Sequence, residues 1–378
     1  MSSRLALFGS FPGARMLDAK EEVSVVKTLR TRSLSRFGGF SEKRNTILLE
    51  HALGSYTKRM HTLVVSSGTA ALHTALVMAE IKPGDEVIIP SYCWISIVMA
   101  IIAVGATPVI APIDASLNLD TSALESAFST KTRAIVAVHM RGFPCDIIKI
   151  QRVARGTGIR IIEDGSQCLG GTIDNNPVGF FGDISTFSFQ LNKLITAGEG
   201  GAILCNSEKM ATRARQFHDC GMTRDTTYTD PVGDNAIQHF GLNYRLSEVS
   251  AAIALTQFSK LKDTLRRLGQ VRLDALESLQ SEILQFDLQE RASVPGTSPN
   301  NAFLCLSAPD STSCQHAYNA LTHTGVPAQL PGRIDPHHYL TWINFLERDN
   351  LAFRCVTNTQ SSTTLNKHLF IELNPAPL

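Results

Sequence analysis

Short apolar runs rich in β-branched residues alternate with amphipathic segments between Ser66 and Cys205. Six of these runs are predicted to be strands: residues 87–90, 108–110, 134–138, 160–163, 185–189 and 201–205. The segments between them have the period of crossover helices, as in residues 69–80, 121–128 and 147–156. Several strands are too apolar to be exposed on one face, so helices must cover both sides of a mostly parallel sheet. The alternation therefore predicts an α/β fold.

The helical pattern becomes almost continuous after Asn243. Residues 247–280 form one long stretch of helical period with basic residues at 260, 262, 266 and 267. We interpret this stretch as a long helix that leads into a second domain. The chain is therefore divided into a large domain, residues 1–250, and a smaller C-terminal domain, residues 251–378, with polar clusters at 292–301 and 357–364.

Net charge and cysteine spacing limit the classes of partner. The formal charge is +1 with acidic and basic residues interspersed, which disfavours nucleic acid and membrane surfaces as partners. None of the eight cysteines forms a C-x-x-C pair, so neither a zinc site nor a disulfide framework is indicated and a reducing cytoplasm is predicted. Residues 1–16 lack the pattern of a secretory signal.

One apolar stretch, residues 94–113, is long enough to resemble a membrane span. Gly105, Pro108 and Pro112 divide it into a short helix and a short strand. We therefore expect this stretch to be part of the buried core.

Small residues stand where a loop opens a helix, at residues 66–71. Free backbone N–H groups and the helix dipole at such a position can receive an anion such as phosphate. A serine or threonine cap on an alanine-rich helix explains the same pattern. Both interpretations stay open at this point.

The most informative lysine is Lys193, which follows the predicted strand 185–189 and precedes a glycine-rich run at 198–201. Polar and small residues surround it in the sequence. Such a lysine can be the nucleophile that forms a Schiff base and, once released by the substrate, a base that moves protons. The alternative is an ordinary solvated surface charge.

Two acids, Glu163 and Asp164, stand at the carboxyl end of the predicted strand 160–163. Open α/β sheets bind their ligands at this edge, so one of the two can face a site. A carboxylate there could hold the pyridine nitrogen of pyridoxal 5′-phosphate (PLP) protonated, which strengthens the ring as an electron sink. The alternatives are a helix N-cap or a surface acid.

Taken in order, the motifs resemble the DegT/DnrJ/EryC1/StrS family of PLP-dependent sugar aminotransferases, over roughly residues 12–262. The matching landmarks are Glu21 and Glu22 in the first helix, SGTAAL at 67–72, GDEVIIP at 84–90, GATPV at 105–109, IED at 162–164, VGxxGDIxTFSF at 178–189, Lys193, GEGG at 198–201 and NYRLSE at 243–248. The resemblance implies fold type I, with a large domain built on a mostly parallel seven-stranded sheet and a smaller C-terminal α/β domain. It also implies that Lys193 holds PLP as a Schiff base.

The resemblance assigns further residues to the cofactor, which alternates between PLP and pyridoxamine phosphate. Asp164 would pair with the pyridine nitrogen, and Trp94 would stack on the ring. Gln167 would reach the phenolic oxygen. The phosphate would be bound by the N–H groups of Gly68, Thr69 and Ala70, the hydroxyl of Ser188, and Asn243 of a neighbouring subunit. The last contact implies a homodimer with a shared active site.

The implied reaction is transamination from glutamate or glutamine to a keto sugar, a nucleotide keto sugar or a keto cyclitol, in amino-sugar or antibiotic biosynthesis. One alternative is a PLP-dependent dehydratase of the same family, whose members replace the lysine by histidine; Lys193 argues against it. Other chemistry, such as oxidation, is a further alternative. A non-catalytic regulatory homologue is disfavoured because both Lys193 and Asp164 are present.

The sequence also departs from the family pattern. Gln190 stands where many members have histidine, and a glutamine at this position resembles the subgroup that acts on cyclitols and antibiotic sugars. Residues 93–94 and 140–141 differ from the commoner choices. Residues 331–339 and the tail, residues 365–378, match the usual histidine-bearing acceptor loop poorly. His337 and His338 adjoin Asp335, but adjacent histidines rarely ligate one metal, so we expect a loop surface there.

Overall fold

Helices and strands alternate along the chain as the apolar periodicity predicts. The computed structural model describes residues 4–37, 44–224, 237, 239–331, 335–356 and 359–376. Its helices are α1 Ala19–Thr31, α2 Asn45–Thr57, α3 Gly68–Met78, α4 Ser96–Ala103, α5 Ile147–Ala154, α6 Glu208–Phe217, α7 Glu248–Ser259, α8 Leu261–Ser278, α9 Gln280–Gln285, α10 Ser311–His323, α11 Tyr339–Arg348 and α12 Thr359–Leu365. Its strands are β1 His61–Val65, β2 Glu86–Pro90, β3 Thr107–Ala111, β4 Thr132–Val138, β5 Arg160–Asp164, β6 Thr172–Ile173, β7 Asn176–Pro177, β8 Ile184–Ser188, β9 Gly201–Cys205, β10 Gln289–Glu290, β11 Thr297–Ser298, β12 Phe303–Ser307, β13 Ala328–Gln329, β14 Arg354–Cys355 and β15 His368–Glu372.

The large sheet has the strand order β1-β9-β8-β5-β4-β2-β3-β14. Strand β9 runs antiparallel to both neighbours, and the other neighbouring pairs are parallel. All six predicted strands are confirmed, and β1 adds a seventh. The eighth strand, β14, is a two-residue edge strand beside β3. The seven-strand expectation did not include it, because a strand so short shows no periodicity and is fixed only by its packing.

Side chains of successive strand residues enter two hydrophobic cores, one on each face of the large sheet. In β2, Ile88 packs in one core, whereas Val87 and Ile89 pack in the other. All three are fully buried, which explains why the run lacks polar alternation. Tyr339 and Trp342 of α11 join the second core, so this C-terminal helix packs against the large sheet.

The predicted helices agree with the structure in two places and fail in one. Helix α3 corresponds to the predicted segment 69–80, and α5 corresponds to 147–156. The helix predicted over 121–128 is wrong, because only a short 3-10 turn, Glu125–Ala127, forms there. Asp120 Oδ1 accepts hydrogen bonds from Ser122 N at 2.8 Å and Ser122 Oγ at 2.6 Å, a local arrangement that competes with helix formation.

The long helical stretch over residues 247–280 is divided into α7, α8 and the start of α9. Ser247 caps α7 by accepting a hydrogen bond from Ser250 N. The first break falls at Lys260, whose Nζ donates to Glu21 Oε2 at 2.8 Å and to the Met16 carbonyl at 2.9 Å. The prediction of one continuous helix is therefore partly wrong. The contacts that hold Lys260 are long-range, so the local sequence pattern does not reveal them.

A second sheet is formed by the C-terminal part of the chain. Its order is β10-β12-β15-β13, and all of its pairs are antiparallel. The N-terminal segment extends it, because Gly9 N donates to the Glu372 carbonyl at 3.0 Å and Asn374 N donates to the Leu7 carbonyl at 2.9 Å. The domain division at residues 250 and 251 stays a prediction.

The apolar stretch 94–113 forms α4 and β3, both in the core of the fold. Across the described part of the chain, no helix combines the length and the apolar character that a bilayer crossing requires.

Candidate active site

The carboxyl ends of the central parallel strands bring the predicted site residues to one edge of the sheet. Asp164 ends β5, and Ser188 ends the neighbouring strand β8. Asp164 pairs in register with Thr186 of β8, and its carbonyl accepts a hydrogen bond from His139 N at 3.1 Å, just after β4. Lys193 lies in the loop that follows β8.

The two acids of the IED motif have different environments. The Glu163 side chain is fully buried and accepts hydrogen bonds from the amides of Gly179 at 2.7 Å, Phe181 at 2.9 Å and Gly182 at 2.8 Å. Burial alone would raise the pKa of this carboxyl, but the hydrogen bonds from His139 and from backbone amides lower it overall. Glu163 therefore holds the 179–182 loop in place.

Asp164, unlike Glu163, acts on Lys193. Its Oδ1 accepts a hydrogen bond from Ser166 N at 3.0 Å, which closes the turn after β5. Among the described residues none donates a hydrogen bond to Oδ2, and the negative charge acts to raise the pKa of Lys193. Of the two acids, Asp164 is therefore the one available to a ligand.

Lys193 is half-buried, and its backbone is fixed from two sides. Its N–H donates to the Gln190 carbonyl at 2.9 Å, and its carbonyl accepts a hydrogen bond from Gly13 N at 3.2 Å. A Cβ atom on Gly13 would lie 2.4 Å from that carbonyl oxygen, so only glycine permits this approach. Burial lowers the pKa of the Lys193 ammonium to about 8, although Asp164 opposes the shift.

The start of α3 is both capped and placed beside β8. Ser67 Oγ accepts a hydrogen bond from Ala70 N at 3.0 Å, so the capping interpretation is correct and the Ala70 amide is engaged in it. Thr69 is exposed, and a Cβ atom on Gly68 would lie 2.7 Å from Ser188 Cβ. The helix start and the Ser188 hydroxyl therefore lie together, as a phosphate site requires.

Gln167 and Ser188 line one pocket with Lys193. Gln167 Oε1 accepts a hydrogen bond from Arg141 N at 3.0 Å, which orients its NH2 group as a donor. Trp94 is 43% exposed, so part of its side chain is accessible to a ligand. Asn243 is exposed and does not line the Lys193 pocket.

An arginine that the motifs did not assign, Arg141, also lines this pocket. It is buried in the left-handed conformation, with φ 55° and ψ 36°, and a non-glycine residue in this region is often functional. Its Nε donates to Tyr92 Oη at 3.3 Å, and its guanidinium carbon lies 4.9 Å from the Phe370 ring centroid and 5.2 Å from that of Phe303.

His337 also lines the pocket, and Asp335 contacts both His337 and Arg141. Arg141 Nη2 lies 3.4 Å from Asp335 Oδ2, and His337 Nδ1 lies 2.7 Å from Asp335 Oδ1. Burial would raise the pKa of Asp335, but the hydrogen bond from His337 and the charge of Arg141 lower it overall. The His337 ring centroid lies 4.9 Å from that of Trp94.

The expectation of a loop surface around residues 335–338 is therefore wrong. Cys93 N donates to the His337 carbonyl at 2.8 Å, and His338 is buried in a β-bridge with Tyr92. Residues 332–334 of the predicted acceptor loop lie outside the described residues. The departures from the family pattern at residues 140–141 and 331–339 were the signals of this cluster. Within the described ranges, no group of three or more histidine, cysteine or acidic residues could hold a metal ion.

The arrangement fits PLP. A lysine with a lowered pKa lies near a buried carboxylate, and a helix start lies against a serine hydroxyl. A doubly covered, mostly parallel sheet that presents these groups at its carboxyl edge defines a PLP-dependent transferase of fold type I.

The profile of the DegT/DnrJ/EryC1/StrS aminotransferase family matches residues 17–369, and the chain belongs to this PLP-dependent family. It is similar to the GDP-perosamine synthase of Caulobacter vibrioides, with 36% identity over 253 residues, or 67% of this chain and 65% of that relative. The aligned part thus spans just under two thirds of the relative's length.

Two solved structures share the fold. The aminotransferase from Psychrobacter cryohalolentis aligns with a TM-score of 0.86 and 22% identity, over 98% of this chain and 95% of that chain. A GDP-4-keto-6-deoxymannose-3-dehydratase aligns with a TM-score of 0.82 and 22% identity, over 98% of this chain and 96% of that chain. Identities this low establish the fold alone.

Proposed function

We propose that the protein is a PLP-dependent aminotransferase that moves an amino group from glutamate or glutamine to a keto sugar, a nucleotide keto sugar or a keto cyclitol. The observation that carries this proposal is Lys193, which lines a pocket and whose pKa burial lowers to about 8, while the nearby Asp164 charge opposes the shift. Family membership and the similarity to a GDP-perosamine synthase support a sugar acceptor.

PLP, when bound, supplies an electron sink that stabilises negative charge on the donor's α-carbon. In the proposed site Lys193 attaches the cofactor, and Asp164 keeps the pyridine nitrogen protonated. The other contacts come from side chains and amides around these two: Trp94 against the ring, Gln167 at the phenolic oxygen, and Gly68, Thr69, Ala70 and Ser188 at the phosphate. Binding of the phosphate at the Ala70 amide requires that Ser67 release it.

The lowered pKa of Lys193 suits both tasks that the proposal assigns to it. With a pKa of about 8, about a tenth of the side chains are neutral at pH 7, whereas a lysine of ordinary pKa is almost entirely protonated. A neutral amine can attach the cofactor. Once the substrate has displaced it, the same amine can accept the donor's α-proton.

Arg141 provides a binding point for the donor's carboxylate. Its two hydrogen bonds to neighbouring side chains are long, at 3.3 and 3.4 Å, so the guanidinium retains donor capacity toward the pocket. Arginine also binds carboxylates through two parallel bonds, which fixes the orientation of the α-carbon.

The proposal includes a homodimer in which Asn243 reaches the cofactor phosphate of the neighbouring subunit. Its exposure and its absence from the Lys193 pocket support this, because the side chain is available to a second subunit. We also place the enzyme in the cytoplasm, where the eight free cysteines suit a reducing medium.

The test is the visible absorption spectrum of the PLP-loaded protein before and after glutamate, glutamine or alanine is added singly. We expect the band of the Lys193-bound cofactor to disappear with glutamate or glutamine. Lys193→Ala should lack this band. Lys209→Ala, at an exposed lysine, should keep both the band and its response.

Two outcomes would contradict the proposal. A Lys193→Ala protein with the wild-type band and turnover would remove the lysine from its role. A band that no amino acid changes would favour other PLP chemistry. The dehydratase alternative has the support of a shared fold, but a lysine rather than a histidine occupies position 193.

A further inference from the structure

A carboxylate from the second sheet, Glu372, lines the Lys193 pocket. It is the last residue of β15 and pairs with Phe303 of β12, which lines the same pocket. Its carbonyl accepts a hydrogen bond from Gly9 N at 3.0 Å, so its backbone is fixed from both sides. The Glu372 charge also acts on Lys193, raising its pKa.

Glu372 is 9% exposed, and its Oε2 is buried without a hydrogen-bond partner in the described part of the protein. No ion pair within the described residues includes it. Asn300, a second polar residue of the same wall, is different. Its Nδ2 donates to the carbonyls of Gln167 at 3.1 Å and Leu169 at 3.2 Å, and its Oδ1 accepts a hydrogen bond from Ala302 N at 3.1 Å. Asn300 therefore holds the wall together, whereas Glu372 retains an unused acceptor.

A buried carboxylate oxygen without a donor is unfavourable for folding, because it loses its hydration and gains no hydrogen bond. Such a group is explained when a ligand brings the missing donor. The carboxylate of an amino-acid donor is repelled by Glu372 and attracted by Arg141, and its amine would take the place of the Lys193 amine on the cofactor. The remaining class of donor is a neutral hydroxyl group, of which sugars and cyclitols carry several.

We infer that Glu372 accepts a hydrogen bond from a hydroxyl group of the keto acceptor and is a specificity-determining residue for polyhydroxylated acceptors. The inference rests on the proposed aminotransferase function. A site built to bind a hydroxyl strongly disfavours a ligand that lacks it, because its polar group is then left unpaired. The acceptor is thus recognised by Glu372 on the second sheet, whereas the donor is recognised by Arg141.

The test compares the two half-reactions in single turnover. The PLP form is mixed with glutamate or glutamine, and separately with the amines GDP-perosamine and scyllo-inosamine, which run the acceptor half-reaction in reverse. Wild type is compared with Glu372→Leu, with Glu372→Gln, which keeps an acceptor oxygen, and with Glu347→Gln, a control at an exposed glutamate.

We expect the half-reaction of the amino-acid donor to slow by less than about threefold in every variant, when rates are compared at the plateau of each pH profile, where the Lys193 amine is neutral. The half-reaction with the reactive amine should slow by at least about thirtyfold in Glu372→Leu, because the half-saturating concentration of the amine rises. In Glu372→Gln it should slow by a smaller factor. Both effects are expected for the loss of a charge-assisted hydrogen bond. Equal slowing of both half-reactions, with a shifted pH profile, would show that Glu372 acts only through the charge on Lys193 and would overturn the inference.

Stability of the ligand-free protein gives a readout independent of turnover. Removing an unpaired buried charge should leave the thermal midpoint of Glu372→Gln equal to or above that of wild type, whereas a structural glutamate would lower it. A wild type that reacts with an amino-acid donor but with neither amine would overturn the inference alone. A wild type that reacts with no donor would overturn the proposed function itself.

Discussion

Asp335 Oδ1 lies 2.7 Å from His337 Nδ1, and the other oxygen of the same carboxylate lies 3.4 Å from Arg141 Nη2. One carboxylate thus orients an imidazole and a guanidinium that belong to distant parts of the chain. Because Nδ1 is engaged by Asp335, Nε2 is the ring nitrogen of His337 left to face other groups. This relationship fixes two side chains that line the Lys193 pocket.

Asp335→Asn should destabilise the protein, because it leaves the buried Arg141 guanidinium without a negative partner. We expect the free energy of unfolding to fall by about 1.5 to 3 kcal/mol, the usual value for a hydrogen bond to a charged group. Urea unfolding measures the change. Asp349→Asn is the control, since Asp349 pairs with Arg348 at an exposed site and its loss should leave the unfolding curve almost unchanged. Equal effects would mean that Asp335 does not hold Arg141.

The rate at which the cofactor-free protein attaches PLP should rise with pH and level off above about 8. The reason is that only the neutral amine reacts, and burial lowers the pKa of Lys193 to about 8. Stopped-flow absorbance between pH 6 and pH 10 follows the attachment. N-acetyl-lysine amide, with an ordinary pKa near 10.4, should still accelerate above pH 8. A protein profile identical to that of the free amine would contradict the proposed environment of Lys193.

Asp164→Asn should still bind PLP but slow transamination by roughly 10²- to 10⁴-fold, the range typical of a lost acid–base group. The Asp164 charge raises the pKa of Lys193, so the midpoint of PLP attachment should also move to lower pH in this variant. Single-turnover rates with glutamate and the pH profile measure the two effects. Asp174→Asn, at an exposed turn residue, should change neither. Wild-type turnover in Asp164→Asn would exclude the proposed pairing with the pyridine nitrogen.

Glu163→Gln should be mainly a stability variant. Its carboxylate accepts hydrogen bonds from three loop amides and contacts His139 at 3.1 Å, so we expect a loss of about 3 kcal/mol at neutral pH. The folded-state pKa of Glu163 is lowered, so its stabilisation is present above the ordinary value of 4.5 and lost as the pH falls through the folded pKa. The difference between wild type and variant should shrink in acid. Denaturant unfolding at several pH values tests this, and a variant that unfolds like wild type at pH 7 would refute it.

Local patterns in the sequence were sufficient for most of the large sheet. Strand β9 was predicted with its observed limits, and β2 and β3 within one residue, because buried strands require continuous apolar runs. The helix predicted over 121–128 failed because side chains near Asp120 bond to the local backbone. The continuous helix over 247–280 failed at Lys260, whose buried ammonium bonds to Glu21.

By itself, the sequence determined the alternation of strands and helices, the place of Lys193 after a central strand and the presence of an acid at the end of β5. These features depend on local periodicity and on the order of motifs. Only the tertiary structure decided that Glu163 braces a loop while Asp164 remains available, and that Arg141 meets Asp335 across a sequence separation of 194 residues. It alone placed Glu372 in the Lys193 pocket with an unpaired oxygen. The physical reason is that burial and pairing between distant segments depend on how the two sheets pack together, which no local pattern records.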